Sequence, residues 1–196
     1  MRTTAILRGH APEAAVERAE RCWAAGLDLV EVPVQGPEGW AAFEAVARVA
    51  GGRAFGAGTV LTADDARRAV ATGASVVISP GLDADVVMAT LDAGAVPLPG
   101  VLTPSDVQAA IRLGVLTCKL FPASSFGPPY LKALAGPFPD VGLVAVGGVG
   151  VETARAYLDA GARGVAFGGS IDAVLALPDP AAFVAGLHSA AGAQTR

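Results

Sequence analysis

The sequence predicts an α/β fold of the (β/α)8 TIM-barrel type, one parallel sheet in a single domain spanning residues 1–196. Three observations predict it. Eight Val/Ile/Leu-rich runs begin about 20–26 residues apart, the length that a strand, a helix and two tight loops require. Amphipathic patterns lie between them, and glycines punctuate the return from each pattern to the next run. Near-continuous apolar strands alternating with amphipathic helices imply a parallel sheet covered by helices, and eight units favour closure over an open doubly wound sheet.

The elements follow in order. "TTAILRG" reads as the first strand, and "PEAAVERAERCWAAG" as a surface helix with Val16, Ala19 and Trp23 on one stripe and Glu13, Glu17, Arg18, Glu20 and Arg21 elsewhere. Gly26 ends that helix, where a left-handed residue is wanted, before the second strand "LDLVEVPV". "RAFGAGTV" is the third strand; Thr62 can cap the following helix, whose first turn holds Asp64 and Asp65 against the helix dipole, and Gly73 ends it. "SVVISPG" is the fourth strand, followed by Asp83 as cap and Gly94 as stop. "AVPLPGV" is the fifth, followed by Thr103 as cap, Pro104 at the first helical position and Gly114 as stop. The sixth is "LTCKLFP", followed by a helix in which Lys132 reads as an ordinary surface residue. "GLVAVGG" and "GVAFGG" are the last two, with Gly161 between them; the terminal "AAGAQTR" is expected to fray.

Composition narrows the function. A formal charge of −4 leaves no basic footprint for a phosphate backbone, so no nucleic-acid partner is expected. No uncharged apolar run approaches the roughly 18–20 residues that cross a bilayer, and Arg8 interrupts the opening run where a signal peptide would be apolar. A cytoplasmic protein without membrane association is expected. Cys22 and Cys118 sit in apolar patterns and read as small core residues. No cluster has metal-ligand spacing and no Ser/His/Asp set is evident, so no metal is expected.

In a (β/α)8 barrel the chemistry sits at the C-terminal strand ends. Polar residues there are Arg8, Glu31, Thr59, Ser79 and Lys119, one on each of five strands. Period-2 alternation puts Glu31 with Leu29, Pro33 and Gln35, and Lys119 with Thr117 and Phe121. A structural ion pair between Glu31 and Lys119, or a snorkelling lysine, is one reading. Residue choice favours another. The chain has two lysines and twelve arginines, and arginine is the better partner for a purely structural pair. Lysine alone can supply a neutral amine near neutral pH when desolvated, and that amine can attack a ketone to form an imine.

The glycine pairs of "AVGGVGVETA" and "AFGGSIDA" end the last two strands. Exposed amides there suit a phosphate, with Gly147, Gly148, Gly169 and Ser170 as lining groups. His10 follows the first strand on the same end and reads as a solvated loop residue; His188, in the last helix, reads as structural.

These residues resemble the 2-keto-3-deoxy-6-phosphogluconate and 2-keto-3-deoxy-6-phosphogalactonate aldolase family, also linked to 4-hydroxy-2-oxoglutarate cleavage. "AILRG", "VEVPV", "GAGTV", "ISPG", "CKLFPASSFGPPYLKAL", "AVGGV" and "GGS" stand in the family's order across nearly the whole chain. The resemblance implies a class I aldolase that uses neither metal nor cofactor, commonly a homotrimer, with pyruvate and a phosphorylated 2-keto-3-deoxy sugar acid as its small-molecule partners. It implies Lys119 as the Schiff-base lysine, Glu31 as the proton-shuttling carboxylate, and Thr59 with the backbone of Gly58 as holders of the pyruvyl carboxylate. The phosphogluconate branch has an arginine four residues beyond the glutamate, where this chain has Gln35; Arg8 matches the arginine of the phosphogalactonate branch and can meet the charge requirement. That branch also has a valine before the strand-seven glycines, as here at Val146, so the galactonate epimer is the favoured substrate. Ser79 and Pro99 are expected to shape the pocket wall. The alternatives are cleavage of the gluconate epimer or of 4-hydroxy-2-oxoglutarate, a phosphosugar isomerase or epimerase, and a non-catalytic phosphate-ligand binding barrel.

Overall fold

The computed structural model describes residues 1–189; the expected fraying of "AAGAQTR" lies outside them. In chain order the first half runs β1 (Thr3–Ile6), α1 (Pro12–Ala24), β2 (Leu29–Pro33), α2 (Gly36–Val49), β3 (Phe55–Gly58), α3 (Ala63–Ala71), β4 (Val76–Ile78), α4 (Ala84–Asp92) and β5 (Val96–Leu98). The second half runs β6 (Gly100–Val101), α5 (Pro104–Arg112), β7 (Thr117–Leu120), a 3-10 turn (Ala123–Ser125) and α6 (Gly127–Ala135). It continues with β8 (Gly142–Val146), α7 (Ala154–Asp159), β9 (Gly164–Phe167), α8 (Ile171–Leu175) and α9 (Pro180–Ser189).

All strand pairs are parallel, in the order β5-β4-β3-β2-β1-β9-β8-β7-β6. The sheet is a nearly closed barrel of the (β/α)8 type. Its ninth strand is a division, not an addition. The expected fifth run is cut at Pro99, which has no N–H to give to a ladder, so its first part pairs with β4 and its second with β7. The two ends of the sheet are thus joined through the chain itself.

Local chemistry sets the element ends as the sequence predicts. Thr62, Asp83 and Thr103 accept from Asp65, Val86 and Asp106 amides at 3.1, 3.0 and 3.3 Å. Asp106 returns the bond to the Thr103 amide at 2.8 Å, which completes a capping box behind Pro104. Gly26, Gly73, Gly94, Gly114 and Gly161 all adopt positive φ after their helices. His188 ties α9 to β1, 3.0 Å from the Thr3 hydroxyl and 3.4 Å from the Asp28 carboxylate.

Two apolar layers result. Side chains between the sheet and the helices, Phe43, Leu131 and Phe167 among them, form the larger core, and each fully buried one contributes roughly 1.5–3 kcal/mol. Cys22 and Cys118 lie in this layer as free thiols, and burial pushes them up to about 12 and about 11. Ile6, Leu29, Ile78, Leu98, Val144, Val146 and Ala166 fill the inside of the barrel. That division decides which face the polar strand residues occupy. Val30 and Val32 belong to the outer layer and Leu29 to the inner one, so Glu31 faces inward; Cys118 and Leu120 are outer, so Lys119 faces inward too.

Candidate active site

A cavity of about 680 Å3 opens among the C-terminal strand ends. It brings together Arg8, Thr59, Lys119, Val146, Gly147, Gly148, Gly169 and Ser170, which come from five different strand ends. Ile6, Pro80, Phe121 and Gly168 complete much of its wall. Ser79 and Pro99 do not line it, and Glu31 lies behind the lining residues rather than among them. The Ser79 hydroxyl turns away to donate to the Gly81 carbonyl at 2.7 Å, and the Pro99 carbonyl accepts from the Lys119 amide at 2.9 Å inside the sheet. Phe121 was legible: two residues beyond Lys119, it shares its side of the strand. Pro80 carried no comparable signal.

Lys119 is only 3% exposed and Glu31 2%. They form no ion pair with each other, and the Oε1 atom of Glu31 has no hydrogen-bond partner among the described residues. An unpartnered buried carboxylate oxygen is an arrangement that a structural salt bridge would not leave. Burial pushes the Lys119 amine below the usual lysine range; Glu31 opposes this and Arg8 adds to it. The Phe121 ring, with its centroid 4.7 Å from Nζ, also favours the ammonium, but a ring face offsets only about 1–2 kcal/mol and desolvation prevails. Burial pushes the Glu31 carboxyl up, against the pull of Lys119 and then of Arg8. Both shifts run towards the neutral forms, an amine and a carboxyl, and the two groups lie close enough for each to act on the other's charge.

Gly58 shows why glycine precedes Thr59. A side chain there would put its Cβ 2.1 Å from Glu31 Oε1 and 2.7 Å from Cδ and Cγ. Gly58→Ala is expected to displace the Glu31 carboxylate and lower kcat by about 10²-fold, the order a misplacement near 1 Å can cost, while the borohydride adduct with pyruvate that the resemblance implies for Lys119 should still form. Steady-state rates and the mass of the adduct check both parts. Gly58 does not line the cavity itself; its carbonyl accepts from the Val34 amide at 2.9 Å.

Thr59 has φ 57°, and among the described residues it is the only non-glycine in the left-handed region. A β-branched residue pays for that conformation, and such residues collect at functional sites. The turn points the Thr59 hydroxyl at Arg8, whose Nη2 donates to it at 3.2 Å. Arg8 Nη1 donates to Gln35 Oε1. Gln35 lines a second cavity, which Arg8 also borders, with His10 and Glu38. His10 is half-buried there and held below its usual range by burial and then by Arg18.

The opposite rim is made of backbone. Gly147 and Gly148 have φ 94° and 73°, and a Cβ on Gly148 would fall 2.3 Å from the Ser124 hydroxyl oxygen. Ser170 Oγ donates to the Val149 carbonyl at 2.6 Å, which ties the loop after β9 to the loop after β8. The amides of Gly169 and Ser170 find no acceptor among the described residues.

The family model described as "Aldolase: KDPG and KHG aldolase" matches residues 1–176. The chain belongs to that family. It is therefore an aldolase, a carbon–carbon lyase. It is similar to the 2-dehydro-3-deoxy-6-phosphogalactonate aldolase of Escherichia coli, with 33% identity over 85% of this chain and 82% of that one. It is also similar to the 2-dehydro-3-deoxy-phosphogluconate aldolase of Pseudomonas aeruginosa, with 36% identity over 71% of this chain and 64% of that one. A solved structure described as native KDPGal superposes with a TM-score of 0.87 at 30% identity, covering 98% of this aldolase and 97% of that chain. A KDPG aldolase from Legionella pneumophila, solved with pyruvate captured as a covalent carbinolamine, gives a TM-score of 0.81 at 26% identity, covering 97% of this aldolase and 92% of that chain. Among the described residues no helix is long and apolar enough to cross a membrane, and no group of three or more metal-ligating side chains forms.

Proposed function

We propose that this aldolase cleaves 2-keto-3-deoxy-6-phosphogalactonate reversibly to pyruvate and glyceraldehyde 3-phosphate through a Schiff base on Lys119. The carrying observation is the Lys119 amine, buried in the cavity wall near Glu31 with no ion pair between them. The neutral amine attacks the C2 carbonyl carbon, and Glu31 carries the protons by which the carbinolamine loses water. The resulting iminium is the electron sink. Glu31, as carboxylate, takes the C4 hydroxyl proton; the C3–C4 bond breaks, its electron pair moves to C3 and into the iminium to give the enamine, and glyceraldehyde 3-phosphate leaves. Protonation at C3 and hydrolysis release pyruvate and restore the amine. Because the imine supplies the sink, the cycle needs no metal and no cofactor.

Arg8, steadied by Thr59 and Gln35, and the turn at Thr59 hold the carboxylate, while Gly58 leaves the room that Glu31 occupies. Gly147, Gly148, Gly169 and Ser170 offer backbone amides to the distal phosphate, supported by the unpaired amides of the last loop. Val146 lines the cavity beside them and favours the galactonate epimer over the gluconate one, a discrimination of about 1–3 kcal/mol at most for one apolar contact. The enzyme works in the cytoplasm, consistent with two free cysteines, and assembles as a homotrimer, for which the 61% and 56% exposed Leu61 and Phe126 leave apolar surface.

Borohydride reduction with pyruvate, followed by peptide mass spectrometry, tests the mechanism: the adduct is expected on Lys119. An adduct on Lys132, or none, overturns it. Rates measured side by side on both C4 epimers test the substrate; a higher kcat/KM for the gluconate epimer reverses that choice.

A further inference from the structure

Two arginines on α1 stand one turn apart, so they share a face. Each grips a different end of α8. Arg18 Nε lies 3.1 Å from Asp172 Oδ1 in the first turn of α8, and Arg21 Nη2 donates at 3.2 Å to the carbonyl of Leu175, its last residue. A helix of five residues cannot sustain itself, so its position depends on what holds it from outside. The loop Gly168–Gly169–Ser170 runs directly into it. The Ile171 amide donates back to Gly168 at 3.0 Å and the Val174 amide to Ser170 at 3.1 Å, so the direction of the loop's free amides is fixed by where α8 lies.

We infer that Arg18 and Arg21 are positioning residues that hold the last loop against the cavity, and so set the preference for a phosphorylated over an unphosphorylated aldehyde. This rests on the reading of that loop as the phosphate site. α1 starts four residues beyond Arg8, so one helix connects the arm at the carboxylate end to the loop at the phosphate end. The two grips are unequal. The Arg18–Asp172 pair is solvated, with Asp172 61% exposed, whereas Arg21 reaches a partly buried carbonyl at a helix end where carbonyls otherwise lack partners. Arg21 therefore carries the larger share.

The test runs the reaction in synthesis, with pyruvate and either glyceraldehyde 3-phosphate or glyceraldehyde as acceptor. In Arg18→Met/Arg21→Met the preference for the phosphorylated acceptor is expected to fall about tenfold, through a higher KM, with the rate on glyceraldehyde within about twofold of the parent. Arg21→Lys, which keeps one donor within reach of the carbonyl, is expected to recover most of the preference. An unchanged preference, an equal loss on both acceptors, or a lysine variant no better than methionine overturns the inference. A parent enzyme that does not prefer the phosphorylated acceptor at all overturns the phosphate site itself, and the inference with it.

Discussion

Replacing Lys119 with methionine is expected to remove aldol cleavage by roughly 10⁵-fold or more, the order seen when a covalent nucleophile is deleted, and to raise the stability of the fold. The first half follows because no other amine reaches the cavity: Lys132, the other lysine, is exposed on α6. Lys119→Arg is expected to be equally inactive, since a guanidinium keeps the charge but does not deprotonate. The second half follows from burial. The amine of Lys119 titrates below the usual lysine range when folded, so the native state carries the cost of a desolvated ammonium wherever the group is protonated. That cost is full below the folded-state value and fades as pH rises from there towards the unfolded value near ~10.4. The methionine variant should thus gain most in thermal unfolding at neutral and acid pH and least in alkali. Residual cleavage above about one per cent of the parent rate would remove Lys119 from the mechanism. With Lys119 as the proposed nucleophile, imine formation with pyruvate is expected to slow as pH falls and the amine takes up a proton.

Glu31→Gln is expected to slow cleavage by about 10²–10³-fold, the range for losing a positioned proton carrier, and to slow exchange of the pyruvate methyl protons by a similar factor. Glutamine keeps the shape beside Gly58 but cannot take the C4 hydroxyl proton. Borohydride trapping on Lys119 should persist at a reduced rate, because the proposed nucleophile is untouched. Exchange at the parent rate would assign the proton chemistry to another group. The pH signature is opposite to that of Lys119. The folded Glu31 carboxyl titrates above the ordinary range, so its ionisation costs stability. The cost is absent below the unfolded value near ~4.3, grows as pH rises through it, and is complete above the folded value. The glutamine variant should match the parent in acid and exceed it at neutral pH, as read from unfolding midpoints.

The fold was legible because its signals are local. Strand runs, helix stripes, the caps at Thr62, Asp83 and Thr103 and the glycine stops each depend on residues within one or two turns of one another, and each formed as read. The one miscount arose at Pro99, where a single expected strand became two pieces because a missing N–H interrupts pairing with its neighbours. Alternation likewise grouped Lys119 with Phe121 and Glu31 with Leu29, but could not tell inside from outside, since both faces of a barrel strand are apolar.

The sequence by itself determined a (β/α)8 barrel and which polar residues stand at its strand ends. Only the folded chain decided that Glu31 and Lys119 face the interior without pairing, that Thr59 turns left-handed to meet Arg8, that Gln35 steadies Arg8, and that α1 grips α8 at both ends. The reason is physical: propensity and periodicity act between near neighbours, whereas desolvation and hydrogen-bond geometry arise when residues 27 to 154 positions apart are brought together.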